Sequence, residues 1–528
     1  MSTTQVSPTD ASGGQPQAAA GAVEFGPRLL TGLCGVLVAT LAAGFNGNII
    51  DIALADVRGA MSMGLDEGRW LSAWYQATQV AAMAFAPWFA VTVSLRRFTL
   101  FAIAGMLVLG IACPLAPDYT SLLVMRSVQG LMAGCLPPML MTVALRFLPP
   151  SIKVYGLAAY ALTATFGPNL GIALAALWTD FVGWRFLFWQ VVPLGLLCLA
   201  AIAYGIPQDP VRLERFRQFD WVGLLTGFPG ICALVLALLL GDWLDWFNSP
   251  FITGLLFSAG ALLSVFFINE ARHPAPFFAL FILRRRNFSH ALFTLSMFLV
   301  IATTSFALPS GYLAQVQGYR PLQMAPLSLL VALPQIVLLP IVAALCNRPW
   351  VDCRWLMGLG LAICALSLWL GSSLTSAWSR ENFYLPMVLQ MVGQPMVVVS
   401  ILLSSTSVVH PMEGPVASAW FNSIKSFAAV LATSALSLLI RIRGQNHATT
   451  LADQLGNSPL VLQQLQQSAA RGGEQVIAQL GQQVQEQAQV LASADIYQYM
   501  ALLAVFLIAL IPLVPQRVYP PGMAAKSK

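Results

Sequence analysis

The chain has 528 residues, of which 58% are hydrophobic and only 9% charged, and its net charge is +6. Soluble domains carry about 25% charged residues, so a soluble globular protein is excluded. The basic residues are scattered through short loops, which argues against nucleic acid as a partner. Apolar stretches of about 20 residues, each able to cross about 30 Å of hydrocarbon as a helix, recur along the sequence. Short segments of alternating polarity, the mark of a membrane barrel, are missing. An all-α integral membrane protein is the class that remains.

Residues 1–27 are rich in Ser, Thr, Gln, Gly and Ala and lack a basic stretch leading into a short apolar core. They read as a disordered cytoplasmic tail rather than a cleaved signal. Fourteen spans are then predicted, at roughly 29–53, 69–91, 98–116, 120–145, 154–177, 184–206, 220–240, 250–269, 288–311, 325–346, 355–375, 384–407, 417–440 and 497–515. With the N-terminus inside, seventeen Lys and Arg residues fall on the cytoplasmic side and eight on the other. That bias places both termini in the cytoplasm. One connector is long, residues 441–496 on the outer side. It is rich in Gln, and Val476, Leu480, Val484, Ala488 and Leu491 give it one weak apolar stripe at helical spacing. A helical cap on the outer surface, or a docking surface for another protein, fits that pattern.

No nucleotide-binding loop, HExxH metal motif or GxSxG nucleophile elbow is present. The eight cysteines form no CxxC pair and the four histidines are dispersed, so no metal, no cofactor and no enzymatic activity are expected. Energy for transport would come from an ion gradient, which directs attention to ionisable groups within the spans. Three stand out: Asp51 in the outer part of span 1, Arg126 in span 4, and Lys425 in the inner part of span 13. Arginine keeps its proton, so Arg126 is a fixed charge, whereas Asp51 can bind and release one. Asp51 is therefore the candidate proton carrier by elimination. Asp51 solvated at the outer interface and Lys425 reaching the inner surface are the plain alternatives. Two intramembrane cations against one carboxylate favour lipophilic weak acids or zwitterions over organic cations as substrates. Gly130 and Gly134 have the spacing of a close helix contact. In span 5, Gly167 and Pro168 within TFGPNLG mark either close packing or a flexing point.

The stretch RSVQGLMAG, Arg126 to Gly134, resembles the RxxQGxxxG motif of major facilitator transporters. GPNLG, Gly167 to Gly171, is similar to part of their antiporter motif. WLSAWY at Trp70 to Tyr75, FDWVG at Phe219 to Gly223, LRRRNF at Leu283 to Phe288 and NSIK at Asn422 to Lys425 extend the likeness. Together they place the chain with the fourteen-span drug:proton antiporter branch, the EmrB/QacA type. The resemblance implies a major facilitator fold with both termini inside, built from a six-helix bundle over 28–206, two extra central spans with their loops over 207–287, and a second six-helix bundle over 288–515. A cytoplasmic tail, 516–528, follows. It also implies a multi-pass protein of the bacterial inner membrane that exports amphipathic small molecules in exchange for protons. The expected partners are the small-molecule substrate, protons and membrane lipid, with a periplasmic adaptor and an outer-membrane channel completing a tripartite pump. Arg126 with Asp51 would serve proton coupling. Asn46, Asn48, Gln129, Gly130, Gly167, Pro168, Asn422 and Lys425 would serve the cavity or its gates.

One segment departs from the branch. Where span 1 of the family carries Asp and, five residues later, Asn, this chain carries Asn46 and Asp51. Five residues along a helix turn through about 140° and rise roughly 7.5 Å, so the shifted carboxylate cannot take over the original position without rearrangement. Export of one native metabolite, such as a siderophore or aromatic acid, and a non-transporting receptor on the same fold are the alternative functions.

Overall fold

The computed structural model describes residues 25–410, 413–457 and 473–514, without the side chains at 48–53, 55, 168, 456 and 473–477. The tails as far as residue 24 and from residue 515, and the side chains of Asn48, Asp51 and Pro168, thus lie outside the described residues.

Sixteen helices of the α type carry the described chain. The first eight are α1 (Pro27–Met61), α2 (Leu65–Val93), α3 (Leu95–Ala112), α4 (Tyr119–Gly134), α5 (Leu136–Phe147), α6 (Lys153–Phe181), the single turn α7 (Phe186–Trp189) and α8 (Val191–Gly205). A hairpin of α9 (Trp221–Gly241) and α10 (Pro250–Glu270) follows. The rest are α11 (Arg286–Gln315), α12 (Pro321–Cys346), α13 (Cys353–Gly371), α14 (Tyr384–Ser407), α15 (Gly414–Gly456) and α16 (Gly473–Leu510).

Local chemistry sets several boundaries. Pro27 opens α1, where its missing N–H costs nothing. Asp118 caps α4 by accepting from the Ser121 amide, and Asp220 caps α9 by accepting from the Gly223 amide at 2.7 Å. The chain leaves α1 through Ser62, whose φ of 53° is left-handed and ends the hydrogen-bond ladder.

Among the described residues, twelve helical stretches are long and apolar enough to cross a membrane, with α4 and α5 forming one of them, Tyr119–Phe147. Counting the two parts of α6, bent by 41° at residue 168, as one span gives thirteen. Helix α2 is 29 residues long, but Asp66, Glu67 and Arg69 in its first turns and Gln76 and Gln79 further on dilute its hydropathy. The count of fourteen rests on reading α2 as a span as well.

Helices α1–α8 make one bundle and α11–α16 the other. They meet along two seams: α6 packs on α12 and α14, while α2 packs on α15. Helix α9 lies over the second seam, against α2 and α15, with α10 packed on it. One end of the molecule carries Arg96, Arg97, Arg146 and Arg285, and is called the basic end below.

The sequence 441–456, expected to be part of a loop, continues α15 as helix, and α16 already runs from residue 473. At 43 residues α15 is about 65 Å long, twice a hydrocarbon core, so the two helices project from the non-basic end as a hairpin. Asp495 ties them together by accepting from Arg443 and from His447 at 2.8 Å. The stripe expected on this segment is only partly kept: Ala488 is buried, but Leu491 points outward while Val490 and Ala492 turn in.

At the basic end Arg285, just before α11, grips Glu413, just before α15, through two hydrogen bonds of 2.6 and 2.7 Å. The Arg285 guanidinium holds the Glu413 carboxyl below its usual value of 4.5. A lowered folded-state value means that the pair contributes at neutral pH and is lost as pH falls below about 4.5. Acid thermal melts should therefore show a loss of stability in this range that Glu413→Gln removes. Identical acid profiles for the two proteins would show that the pair contributes nothing.

Candidate functional site

Arg126 lies at the centre of α4 and is only 1% exposed. Its Nη1 donates to Asn46 Oδ1 at 3.1 Å and to Gln129 Oε1 at 2.6 Å, and Nη2 donates to the Asn46 carbonyl. Its guanidinium carbon lies 3.9 Å from the centroid of the Tyr75 ring on α2, a cation–π contact in a site shielded from water. One buried cation thus joins α1, α2 and α4. Gln129 Nε2 reaches on to the Met106 carbonyl on α3 at 3.4 Å. The Asn46 amide Nδ2 finds no acceptor among the described residues. Gly130 and Gly134 follow Arg126 on the same face at helical spacing. A Cβ on either would overlap the α2 backbone, at the Tyr75 and Gln79 carbonyls respectively. The two glycines thus set the distance at which Arg126 meets Tyr75. From the sequence, Arg126 groups with Asp51 for proton coupling, and Asn46, Gln129 and Gly130 group with the cavity or its gates; the fold puts Arg126, Asn46, Gln129 and Gly130 side by side.

Between the two bundles lies a cavity of about 400 Å³. Thr40, Gly44 and Gly47 of α1 line it, with Gln76, Gln79 and Met83 of α2 and Thr163 and Asn169 of α6. From the second bundle come Thr303 and Phe306 of α11, Gln390 and Gln394 of α14, and Lys425, Ser426 and Thr433 of α15. Among the described residues, Lys425 is the one charged side chain in this lining. Its Nζ sits 4.9 Å from the centroid of the Tyr160 ring, and among the described residues no carboxylate lies within ion-pair distance of it. Lys425 does not reach the basic-end surface.

Towards the basic end the cavity is closed. Tyr160 Oη donates to Asn422 Oδ1 at 2.6 Å, Asn422 Nδ2 donates to the Ser418 carbonyl at 2.9 Å, and Ser418 Oγ donates to the Pro138 carbonyl at 2.7 Å. These bonds tie α15 of one bundle to α5 and α6 of the other. Towards the other end the lining continues to Met387, one turn from the start of α14. Asn422 therefore belongs to the closure, and Lys425, one turn further along α15, lies on the cavity side of it. Gly167 is buried near Leu41 of α1 and does not line the cavity, whereas its neighbour Asn169 does.

Sequence reasoning passed over the neutral polar lining because it searched for charge. Gln76 with Gln79 and Gln390 with Gln394 are spaced three and four residues apart, so each pair shares a helix face inside an apolar stretch. That spacing was the available signal. Tyr160 had none, since an aromatic residue in an apolar helix is ordinary.

The Major Facilitator Superfamily profile matches residues 36–433. Fatty acid resistance protein FarB of Neisseria gonorrhoeae is 24% identical over 475 residues, covering 88% of this chain and 91% of that one. Multidrug export protein EmrB of Haemophilus influenzae is 24% identical over 467 residues, covering 87% and 90%. The match to EmrB of Escherichia coli (strain K12), also 24% identical, spans 61% of this chain and 63% of that protein, less than two thirds of its length. Among solved structures, the proton:xylose symporter XylE aligns with a TM-score of 0.58 at 13% identity, over 95% of this chain and 99% of that one. The human organic anion transporter MFSD10 aligns with a TM-score of 0.54 at 12% identity, over 92% and 100%. At those identities the structural likeness concerns the fold. A profile match over most of the chain, on two helical bundles facing a shared polar cavity, means that this multi-pass inner-membrane protein belongs to the Major Facilitator Superfamily, a family of transporters rather than enzymes.

Proposed function

We propose that the protein exports amphipathic small molecules that carry an anionic group, in exchange for protons. In this reading the chain crosses the membrane fourteen times with both ends in the cytoplasm, so that the basic end faces inward and the cavity outward. The observation that carries the substrate class is Lys425. A half-buried ammonium within the spans, with no counter-charge among the described residues, is costly unless something supplies one. A substrate carboxylate or sulfonate would do so, while the neighbouring glutamine, asparagine and threonine side chains offer hydrogen bonds and Met83, Phe306 and Met387 offer apolar surface. The relatives named for export of many drugs and for fatty acid resistance support this reading. The reading extends to a tripartite pump with an adaptor and an outer-membrane channel, for which the projecting α15–α16 hairpin offers an exposed surface.

Arg126 keeps its charge throughout the cycle, so proton exchange falls to a carboxylate, and Asp51 of α1 is the candidate.

The substrate class is tested by binding a lipophilic carboxylate and its methyl ester to the purified protein. Hydrogen bonds to charged groups contribute about 1.5–3 kcal/mol, so the acid should bind about tenfold tighter or more, and Lys425→Gln should erase the difference. Equal binding of acid and ester to the wild type would remove Lys425 as an anion anchor.

A further inference from the structure

A second cavity lies outside the site described above. It is a slot of about 300 Å³ between α2, α3, α4 and α9, near the basic end of the bundle. Ala82, Phe85 and Phe89 of α2, Phe98 and Phe101 of α3 and Leu224 of α9 form its walls, and its lining is wholly apolar. Phe101 is 64% exposed, so the slot opens sideways, towards lipid, rather than into the central cavity. Passage inward is blocked where Gly130 and Gly134 bring the α4 backbone against α2.

Charge surrounds its lower end. Arg97 precedes Phe101 by four residues on α3 and therefore shares its face, one turn closer to the basic end. Arg97 is exposed and makes no hydrogen bond or ion pair among the described residues, in contrast to Arg96, which donates to the Ala203 carbonyl on α8. The linker before α9 adds Arg212, Arg215 and Arg217 and exposes Leu213 and Phe216 among them, and Trp221 is exposed at the start of α9. That alternation of cation and apolar group suits the headgroup layer of a bilayer. A run of ring contacts fastens this linker to the floor of the slot. Arg215 lies 5.3 Å from the Trp88 centroid, Trp88 lies 5.3 Å from Phe89, and Phe89 stacks on Phe98 at 6.4 Å.

We propose that the slot holds one acyl chain of an anionic diacyl phospholipid whose phosphate is bound by Arg97 and the linker arginines. Apolar walls at hydrocarbon depth select the chain, and the ring of cations one turn below selects the headgroup charge. Along α2 the slot runs from residue 82 to 89, about 10 Å, enough for the upper part of a chain. A single-chain amphiphile would leave the linker's exposed apolar groups uncovered, so a diacyl lipid is the better fit. A lipid bound here also bridges α3 of the first bundle to α9, the helix that covers the seam between the bundles.

The test is native mass spectrometry of the full chain released from detergent, titrated with phosphatidylglycerol, with phosphatidylcholine of the same chains, and with oleate. The wild type should bind phosphatidylglycerol about fivefold tighter than phosphatidylcholine, the factor expected for one basic group near the membrane surface. Arg97→Gln, an exposed change, should reduce that preference clearly, with the linker arginines holding what remains. Leu224→Trp fills the slot from α9 and should weaken both lipids, with the lipid-free melting temperature of each variant as the check on folding. Equal affinity for the two phospholipids in the wild type, or an unchanged preference in Arg97→Gln, overturns the proposal. Displacement of phosphatidylglycerol by equimolar oleate overturns it too, and would mark the slot as a place for single-chain amphiphiles.

Discussion

Gly134→Leu is expected to leave no folded protein in the membrane, whereas Gly254→Ala is expected to keep the melting temperature within a few degrees of the wild type. Both are glycines within helices, so loss of backbone freedom alone would make each change favourable by about 1 kcal/mol. Surroundings separate them. A Cβ at Gly254 meets nothing within 4 Å, while at Gly134 it would overlap the Gln79 carbonyl and stand 3.0 Å from Ala82 Cβ. Backbone cannot step aside as a flexible side chain can, so α4 would have to move away from α2. Overpacking commonly costs about 1–3 kcal/mol where side chains can adjust, and a backbone clash lies above that range. The same movement would draw Arg126, two turns away on the same face, off the Tyr75 ring and Asn46. The readout is the yield of monodisperse protein after solubilisation. A normal yield for Gly134→Leu would mean that α2 and α4 are not held in this close contact.

Arg126→Lys should lower transport by at least about tenfold and destabilise the protein by about 2–4 kcal/mol, even though it keeps the charge. Three acceptors converge on this side chain: Asn46 Oδ1, the Asn46 carbonyl and Gln129 Oε1. A planar fork reaches all three while its face lies on the Tyr75 ring, and a single ammonium cannot do both. Each acceptor left without a donor costs about 1–3 kcal/mol in a site without water. Asn46→Asp tests the same network from the other side, because it replaces the unsatisfied Nδ2 by a carboxylate oxygen facing a cation. It should raise the melting temperature of the wild type, and raise it less in Arg126→Lys, where one ammonium replaces the fork. If Arg126→Lys transports and melts like the wild type, the fork geometry carries no weight.

Charge in an apolar span is costly, and that cost is why Arg126 and Lys425 could be read from the sequence as residues that matter. The nearness of Arg126 to Gln129 followed from the motif that contains both, while the bond from Arg126 to Asn46, 80 residues away, is given by the fold. The closed end of the cavity did not follow from a motif, because Tyr160 and Asn422 lie 262 residues apart and only the meeting of the two bundles brings them together. Neutral glutamines were invisible to a search for charge, although they form much of the polar lining. The polar stretch 441–456 reads as the start of an outer connector carrying a separate helical cap, yet a helix leaving the membrane needs no apolar residues on its solvent side. There the polarity marked the bilayer boundary rather than the end of α15. The exchanged Asn46 and Asp51 were legible only as a departure from pattern. Asn46 now has a partner in Arg126, while the side chain of Asp51 lies outside the described residues.

Proton exchange against an amphipathic anion is the central claim, and one measurement addresses it directly. The protein is reconstituted in vesicles with a pH-sensitive dye inside, and a fluorescent arylsulfonate is supplied under an imposed pH gradient. A sulfonate stays ionised throughout, so it carries no proton of its own across the bilayer. The expected result is sulfonate movement against the direction of proton flow, with dye and substrate signals rising together. Both signals should fall to the level of empty vesicles in Asp51→Asn. Sulfonate transport that continues unchanged after the pH gradient is collapsed, or an Asp51→Asn protein that still exchanges protons for substrate, would contradict it.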